Sequence, residues 1–362
     1  MTKKRLTIIH TGGTILSEAD SEGILSPAAG GISSAIRGIL SYLSNKTFGG
    51  FEITEKNPYS ILSENLVPEN WEQLITCIYE EPESPIIITH GTDTLSWTAA
   101  FLAQILRNYK YPVFLIAANH PFDHSDSNGP DNLNAALSVI KDGYPPGVYV
   151  PYKNPGDREV TIHKGEQIVA SPDFADFFCS AKQAIIPNRI YQIHGSDFHK
   201  KILLEKSLYV KRIEEESLHE NIRCNEDLHE VSLQEEIRRE ESRQELGQHN
   251  DIIDLSAKIL VIRPYPGINY DSFDIKEADA VLHGSFHSFA AGSAKETGLY
   301  DFAKKLQKAN KNLYFAPILS ENDKIYESTK EILEWGLVKP IFDMTMESAY
   351  AYLLIKYSRN KV

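Results

Sequence analysis

Short β-rich runs alternate with longer helical patterns along this chain, and that alternation constrains its fold more than any other feature. In chain order, the first half has predicted elements at residues 6–10 (strand), 31–43 (helix), 70–80 (helix), 86–90 (strand), 94–108 (helix) and 113–118 (strand). Strands separated by helices predict a parallel sheet with crossover helices. Because such sheets bind ligands outside the carboxyl ends of their strands, the residues that follow each strand are the first candidates for a site.

A second α/β pattern begins after residue 251. Its predicted strands and helices are residues 259–263, 280–283 and 313–318 (strands) and 300–308, 328–335 and 347–357 (helices). Glu clusters interleaved with Arg separate the two patterns, and we interpret them as a solvated insertion or linker rather than an interaction element. The sequence therefore predicts an α/β fold with a larger N-terminal parallel-sheet domain at residues 1–206, the charged insertion at 207–251 and a smaller C-terminal α/β domain at 252–362.

Composition disfavours several classes of function. No stretch approaches the roughly 20 apolar residues of a membrane span, and the apolar run before His10 is too short for a signal peptide. A formal net charge of −13 disfavours a nucleic-acid partner. The 3 cysteines lack the spacing of a zinc site, and no G-x-G-x-x-G dinucleotide motif is present. We expect a cytoplasmic protein without metal or cofactor that acts on a small molecule.

Two Gly-Thr motifs follow predicted strands. Residues 11–14 read Thr-Gly-Gly-Thr, where the glycines allow a tight turn and Thr14 presents a hydroxyl at the strand end. Residues 90–94 read His-Gly-Thr-Asp-Thr and lead into a predicted helix. Taken alone, the first is explained equally well by a structural turn, and Thr92 and Asp93 by capping of the helix.

Together the two motifs are similar to those of the bacterial-type L-asparaginase family, which includes the asparaginase-like component of the archaeal glutamyl-tRNA amidotransferase. The resemblance extends to residues 63–66 (Ser-Glu-Asn-Leu), closest to the amidotransferase version, and to residues 117–121 (Ala-Ala-Asn-His-Pro). Residues 265–268 and 343–347 resemble signatures of the family's C-terminal domain. Everything except the charged insertion is covered.

The resemblance implies an amidohydrolase that cleaves the side-chain amide of asparagine, glutamine or a related small amide through an acyl-threonine. Thr14 would be the first nucleophile and Thr92 the second essential hydroxyl, while Asp93 would bind the substrate amine and help to activate Thr92. The other implied site residues hold the substrate: Ser63 and Glu64 at its carboxylate, and Ala118 through its carbonyl at the leaving amide. The family also implies a homo-oligomer, a dimer or tetramer, in which the C-terminal domain of one chain closes the site of another.

Two helper residues of the family have no counterpart here. Ile24 stands where a tyrosine assists the first threonine, and Val169 or Ala170 stands where a lysine pairs with the aspartate of the second motif. Lys164, a few residues upstream, would reach inward only if its loop were rebuilt. These departures keep a second hypothesis open, namely a catalytically altered or inactive ligand sensor or regulatory protein with the same fold.

Overall fold

The computed structural model describes residues 4–19, 25–27, 38–39, 41, 51–80, 84–181, 254–318 and 325–359. The described residues form two α/β domains, each built on a largely parallel sheet. The predicted fold class is thereby confirmed. The charged insertion at 207–251 and most of the helix predicted at 31–43 lie outside the described residues, and the domain boundaries stay a prediction.

The N-terminal sheet has the strand order β4-β1-β5-β6-β7-β8. Its strands are β1 (Lys4–His10), β4 (Phe51–Lys56), β5 (Ile86–Thr89), β6 (Pro112–Ile116), β7 (Gly147–Tyr152) and β8 (Thr161–Lys164). All pairings are parallel except that of β7 with β8. Every residue of β5 and β6 is buried, as expected for central strands that are covered on both faces.

Helices cover both faces of this sheet. Helices α1 (Pro68–Tyr79) and α2 (Leu95–Ile105) pack on one face, and α3 (Gly129–Lys141) packs on the other. Two short antiparallel pairs flank the sheet: β2 (Ser17–Ala19) with β3 (Leu25–Pro27), and β9 (Ile168–Val169) with β10 (Cys179–Ser180).

The C-terminal sheet is parallel throughout, in the order β11-β12-β13-β14. Its strands are β11 (Ile259–Ile262), β12 (Ala280–His283), β13 (Asn312–Ile318) and β14 (Val338–Phe342). Helices α4 (Leu299–Lys308) and α5 (Glu327–Glu334) pack on one face, and α6 (Met346–Arg359) packs on the other.

Helix α6 belongs to both domains. One side of it packs on the C-terminal sheet, while Ala351, Leu354 and Ile355 join the core of the N-terminal domain. Trp97 of α2 meets Tyr350 of α6 edge to face, with ring centroids 5.4 Å apart. The two domains thus share a continuous apolar contact through one helix.

Sequence patterns located most of the central elements to within a few residues and missed several at the periphery. Edge strand β4, the pair β7 and β8, strand β14 and helix α3 were not predicted. None of the helices in the described part of the chain is long and apolar enough to span a membrane.

Candidate active site

The Thr-Gly-Gly-Thr loop leaves β1 at the carboxyl edge of the sheet and is anchored on both sides. The Thr11 hydroxyl donates to the carbonyl of Thr89 at 2.6 Å. On the other side, Gly13 N donates to the carbonyl of Ile61 at 2.9 Å, and Ile61 N donates to that of Thr11 at 3.2 Å. Gly12 and Gly13 have φ of 105° and 80°, which L side chains rarely adopt. Thr14 then begins a 3-10 turn (Thr14–Leu16).

Three loops meet without room for a side chain between them. A Cβ added at Gly13 would lie 2.2 Å from the backbone N of Gly91. One added at Gly91 would lie 2.3 Å from the Ser63 hydroxyl oxygen. Glycine is therefore required at both positions for the loops after β1 and β5 to touch each other and the Ser63 turn. Thr14 and Thr92 each directly follow one of these two glycines, so both lie at this junction.

Residues 92–94 face the Ser63 turn. The Ser63 hydroxyl donates to Asp93 Oδ2 at 3.4 Å, and the Thr94 hydroxyl donates to the Ser63 carbonyl at 2.9 Å. Thr94 is the N-cap residue of α2, yet its side chain makes no capping bond there. Capping therefore does not explain Asp93 and Thr94. Ser63 is buried, Thr92 is partly buried, and Asp93 and Glu64 are exposed.

The loop after β6 forms another wall and is held by asparagine side chains. Asn119 and Asn128 each donate their backbone N–H to the other's side-chain oxygen at 3.0 Å. Asn132, fully buried on α3, donates to the carbonyl of Ala117 at 2.9 Å and accepts from Lys153 N at 2.9 Å. Ala118 is buried, and among the described residues its carbonyl accepts no hydrogen bond.

The structure bears on the lysine departure. Among the described residues, Ser63 is the hydrogen-bond partner of Asp93, and no lysine forms an ion pair with it. Lys164 pairs in register with Tyr149, three residues before the end of β7, and its side chain is exposed. The rebuilt loop that would bring Lys164 to Asp93 is therefore not present. Ile24 lies outside the described residues.

The two residues at the expected lysine position face the C-terminal domain. Val169 pairs with Cys179, and Ala170 N donates to Glu347 Oε1 of α6 at 3.4 Å. Glu347 is only 2% exposed, and burial raises the pKa of its carboxyl group. This segment of the N-terminal domain is thus tied to the first turn of α6.

Sequence reasoning missed the residues behind the second motif. Trp71 Nε1 donates to the Thr98 hydroxyl at 3.0 Å, and that oxygen lies 2.9 Å from His90 Nε2. His90 Nδ1 lies 2.8 Å from the carbonyl of Gly91. Burial lowers the pKa of His90 to about 4, so its ring is neutral near pH 7. The apolar helical pattern around Trp71 and Thr98 gave no sign of this chain of hydrogen bonds.

Other histidines singled out by the sequence lie apart from Thr92 in their contacts. His283 is buried in the C-terminal domain, with Nε2 2.8 Å from the Tyr270 hydroxyl, while His287 is exposed. His120 stacks on His124, with ring centroids 4.6 Å apart. His283 therefore has a local structural partner, as the simpler interpretation of a histidine at a strand end expects.

Known proteins resemble this chain in the region that carries the two motifs. Residues 5–182 match the family model described as "Asparaginase, N-terminal". The asparaginase-like component, designated D, of the glutamyl-tRNA(Gln) amidotransferase of Saccharolobus islandicus is 24% identical over 365 aligned residues, covering 97% of this chain and 71% of that protein. The L-asparaginase of Thermococcus kodakarensis is 29% identical over 180 residues, covering 47% of this chain and 53% of that protein.

Solved structures extend the likeness to the whole chain. The thermostable L-asparaginase from Thermococcus kodakarensis has a TM-score of 0.61 at 19% identity, covering 98% of this chain and 96% of that one. L-asparaginase I from Vibrio cholerae O1 biovar eltor has a TM-score of 0.62 at 20% identity, covering 99% and 94%. The chain therefore has the asparaginase fold, and through residues 5–182 it belongs to the asparaginase family.

Proposed function

We propose that this chain is an amidohydrolase that cleaves the side-chain amide of asparagine, glutamine or a related small amide through a threonine nucleophile. The observation that carries the proposal is the contact of Gly13 with Gly91 and of Gly91 with Ser63. It brings two hydroxyl-bearing loops and a carboxylate to one edge of the sheet. Acyl transfer to a hydroxyl needs such a grouping, because the hydroxyl is a weak nucleophile without a nearby proton acceptor.

In the proposed reaction, the Thr14 oxygen attacks the amide carbon and forms a C–O bond. The C–N bond then breaks, and the nitrogen leaves as ammonia with the proton given up by the hydroxyl. Water next attacks the acyl ester, releasing the acid and restoring the threonine hydroxyl. Thr92 orients the water or substrate, and Asp93 binds the substrate amine and helps to activate Thr92.

The substrate ends are assigned to the neighbouring loops. Ser63 and Glu64 hold the substrate carboxylate, chiefly through the Ser63 hydroxyl and backbone donors of their turn. Ala118 offers its carbonyl to the leaving amide, an assignment that the lack of any other donor to it among the described residues supports. The proposal includes a homo-oligomer and a cytoplasmic location.

Ammonia release from asparagine and from glutamine tests the proposal. We expect activity in the wild type and its loss in Thr14→Ala and Thr92→Ala. Thr76→Ala, which removes an exposed hydroxyl bonded only within α1, is the matched control and should keep full activity. Undiminished activity in Thr92→Ala would remove its assigned role. A ligand-induced rise in Tm without any ammonia would favour the sensor instead, because binding to the native state alone stabilises it.

A second candidate, transfer of the released ammonia within an amidotransferase, is favoured by one observation. Relatives named as components of a glutamyl-tRNA(Gln) amidotransferase align with 97% of this chain. On that hypothesis glutamine, rather than asparagine, is the preferred source of ammonia. Comparison of kcat/KM for the two amino acids separates the candidates, since a free-standing asparaginase prefers asparagine.

A further inference from the structure

The hydrogen bonds behind the second motif run in one direction. The Trp71 indole can only donate, so the Thr98 oxygen accepts from it. The Gly91 carbonyl can only accept, so His90 Nδ1 carries the proton that lies toward it. In a neutral ring the other nitrogen is then an acceptor, and the Thr98 hydroxyl donates to His90 Nε2. The order is Trp71 to Thr98 to His90 to the Gly91 carbonyl.

Each side chain of this relay is enclosed. Trp71 is 4% exposed, Thr98 is fully buried and His90 is 2% exposed. The Trp71 ring is fixed by stacking on Phe101, with centroids 4.6 Å apart. A hydrogen-bonded chain of buried groups has few alternative arrangements, because any rotation leaves a donor or acceptor unpaired at a cost of about 1–3 kcal/mol.

The relay ends at the peptide that carries Thr92. Orienting the Gly91 carbonyl orients the Gly91–Thr92 peptide plane, and Gly91 is already confined between Gly13 and Ser63. We propose that Trp71, Thr98 and His90 are positioning residues that set the direction in which the Thr92 hydroxyl faces the substrate. This inference rests on the proposed function and adds three residues that act through the backbone of the motif rather than by touching the substrate.

The C-terminal domain contains the same arrangement without the motif. His283 ends β12 and precedes a glycine, as His90 follows β5 and precedes Gly91. Its Nδ1 lies 2.6 Å from the Gly284 carbonyl, and the Tyr270 hydroxyl lies 2.8 Å from its Nε2. A histidine in this position therefore has a general structural use at a strand end, and Tyr270 supplies a control for that use.

The experiment compares two variants that each remove the hydroxyl paired with a buried histidine. Thr98→Val removes it behind the proposed site, and Tyr270→Phe removes it in the C-terminal domain. Both should lower Tm. Only Thr98→Val should lower kcat for ammonia release, by about 10- to 100-fold with KM within about threefold, as expected for a reacting group displaced by a fraction of an ångström. Thr98→Ser, which keeps the hydroxyl, should restore most of kcat.

Equal kcat values in Thr98→Val and Tyr270→Phe would overturn the proposal, and so would a Thr98→Ser variant as slow as Thr98→Val. A crystal structure of Thr98→Val decides independently of turnover. We expect the Gly91–Thr92 peptide to rotate from its wild-type orientation, and an unchanged peptide would refute the inference even if the wild type releases no ammonia. Absence of ammonia from the wild type refutes the proposed function instead, so the two failures are distinguishable.

Discussion

The contact between Gly13 and Gly91 makes a quantitative prediction for Gly13→Ala. The added methyl group would lie 2.2 Å from Gly91 N, whereas ordinary van der Waals contact begins near 3.4 Å. The two loops must therefore separate by roughly 1 Å, because a well-packed interior does not absorb the overlap. Gly13 also has a positive φ of 80°, which alanine adopts only at a cost.

Gly143→Ala is the matched control for the backbone cost alone. Gly143 has φ of 81°, and a Cβ there meets nothing within 4 Å. The left-handed conformation costs about 1–2 kcal/mol, which is the expected loss in Gly143→Ala. Steric overlap adds about 1–3 kcal/mol, so Gly13→Ala should lose about 2–5 kcal/mol of unfolding free energy.

Urea unfolding at constant slope measures both losses, and ammonia release measures the effect on the site. A separation of about 1 Å between reacting groups should reduce turnover by about 100-fold in Gly13→Ala, while Gly143→Ala keeps wild-type turnover. Equal destabilisation of the two variants would mean that the loops do not touch, and the case for one site at their junction would be lost.

Two further predictions concern buried polar groups. Asn132→Ala leaves a buried carbonyl and an N–H unpaired and should cost about 2–3 kcal/mol in urea unfolding, whereas Asp131→Asn, which breaks only an exposed ion pair, should cost under about 1 kcal/mol; similar losses would contradict this. Burial lowers the pKa of His163 to about 4, so the stability contributed by its neutral ring is complete above pH 6.5 and is lost as the pH falls toward 4. Between pH 7 and pH 4 the wild type should therefore lose roughly 3 kcal/mol more than His163→Gln, and parallel pH profiles would refute the assignment.

The sequence predicted the location of the candidate site because strand ends are marked locally. Apolar runs followed by Gly and hydroxyl residues identify the carboxyl edge without any knowledge of distant contacts. The proximity of Ser63 to Asp93 came only from a resemblance, since the 30 residues between them give no periodic signal for their contact.

Other features depend on tertiary structure and could not be read from local patterns. Strand β8 is short and antiparallel at a sheet edge, so it lacks the continuous apolar run of β5. The relay joins Trp71 to Thr98 across 27 positions, and both side chains fit an ordinary buried helix face. The tie of Ala170 to Glu347 spans 177 positions and involves a backbone N–H, which carries no sequence signature.

The sharing of helix α6 between the domains also has a consequence for how the protein is made. The apolar cluster that contains Trp71 and Leu74 is completed by Leu354 and Ile355, residues translated long afterwards. A nascent chain ending before residue 346 would leave that face of the first sheet uncovered. Chaperone binding to stalled ribosomes should therefore persist past the end of the first domain and fall only when this helix emerges from the exit tunnel.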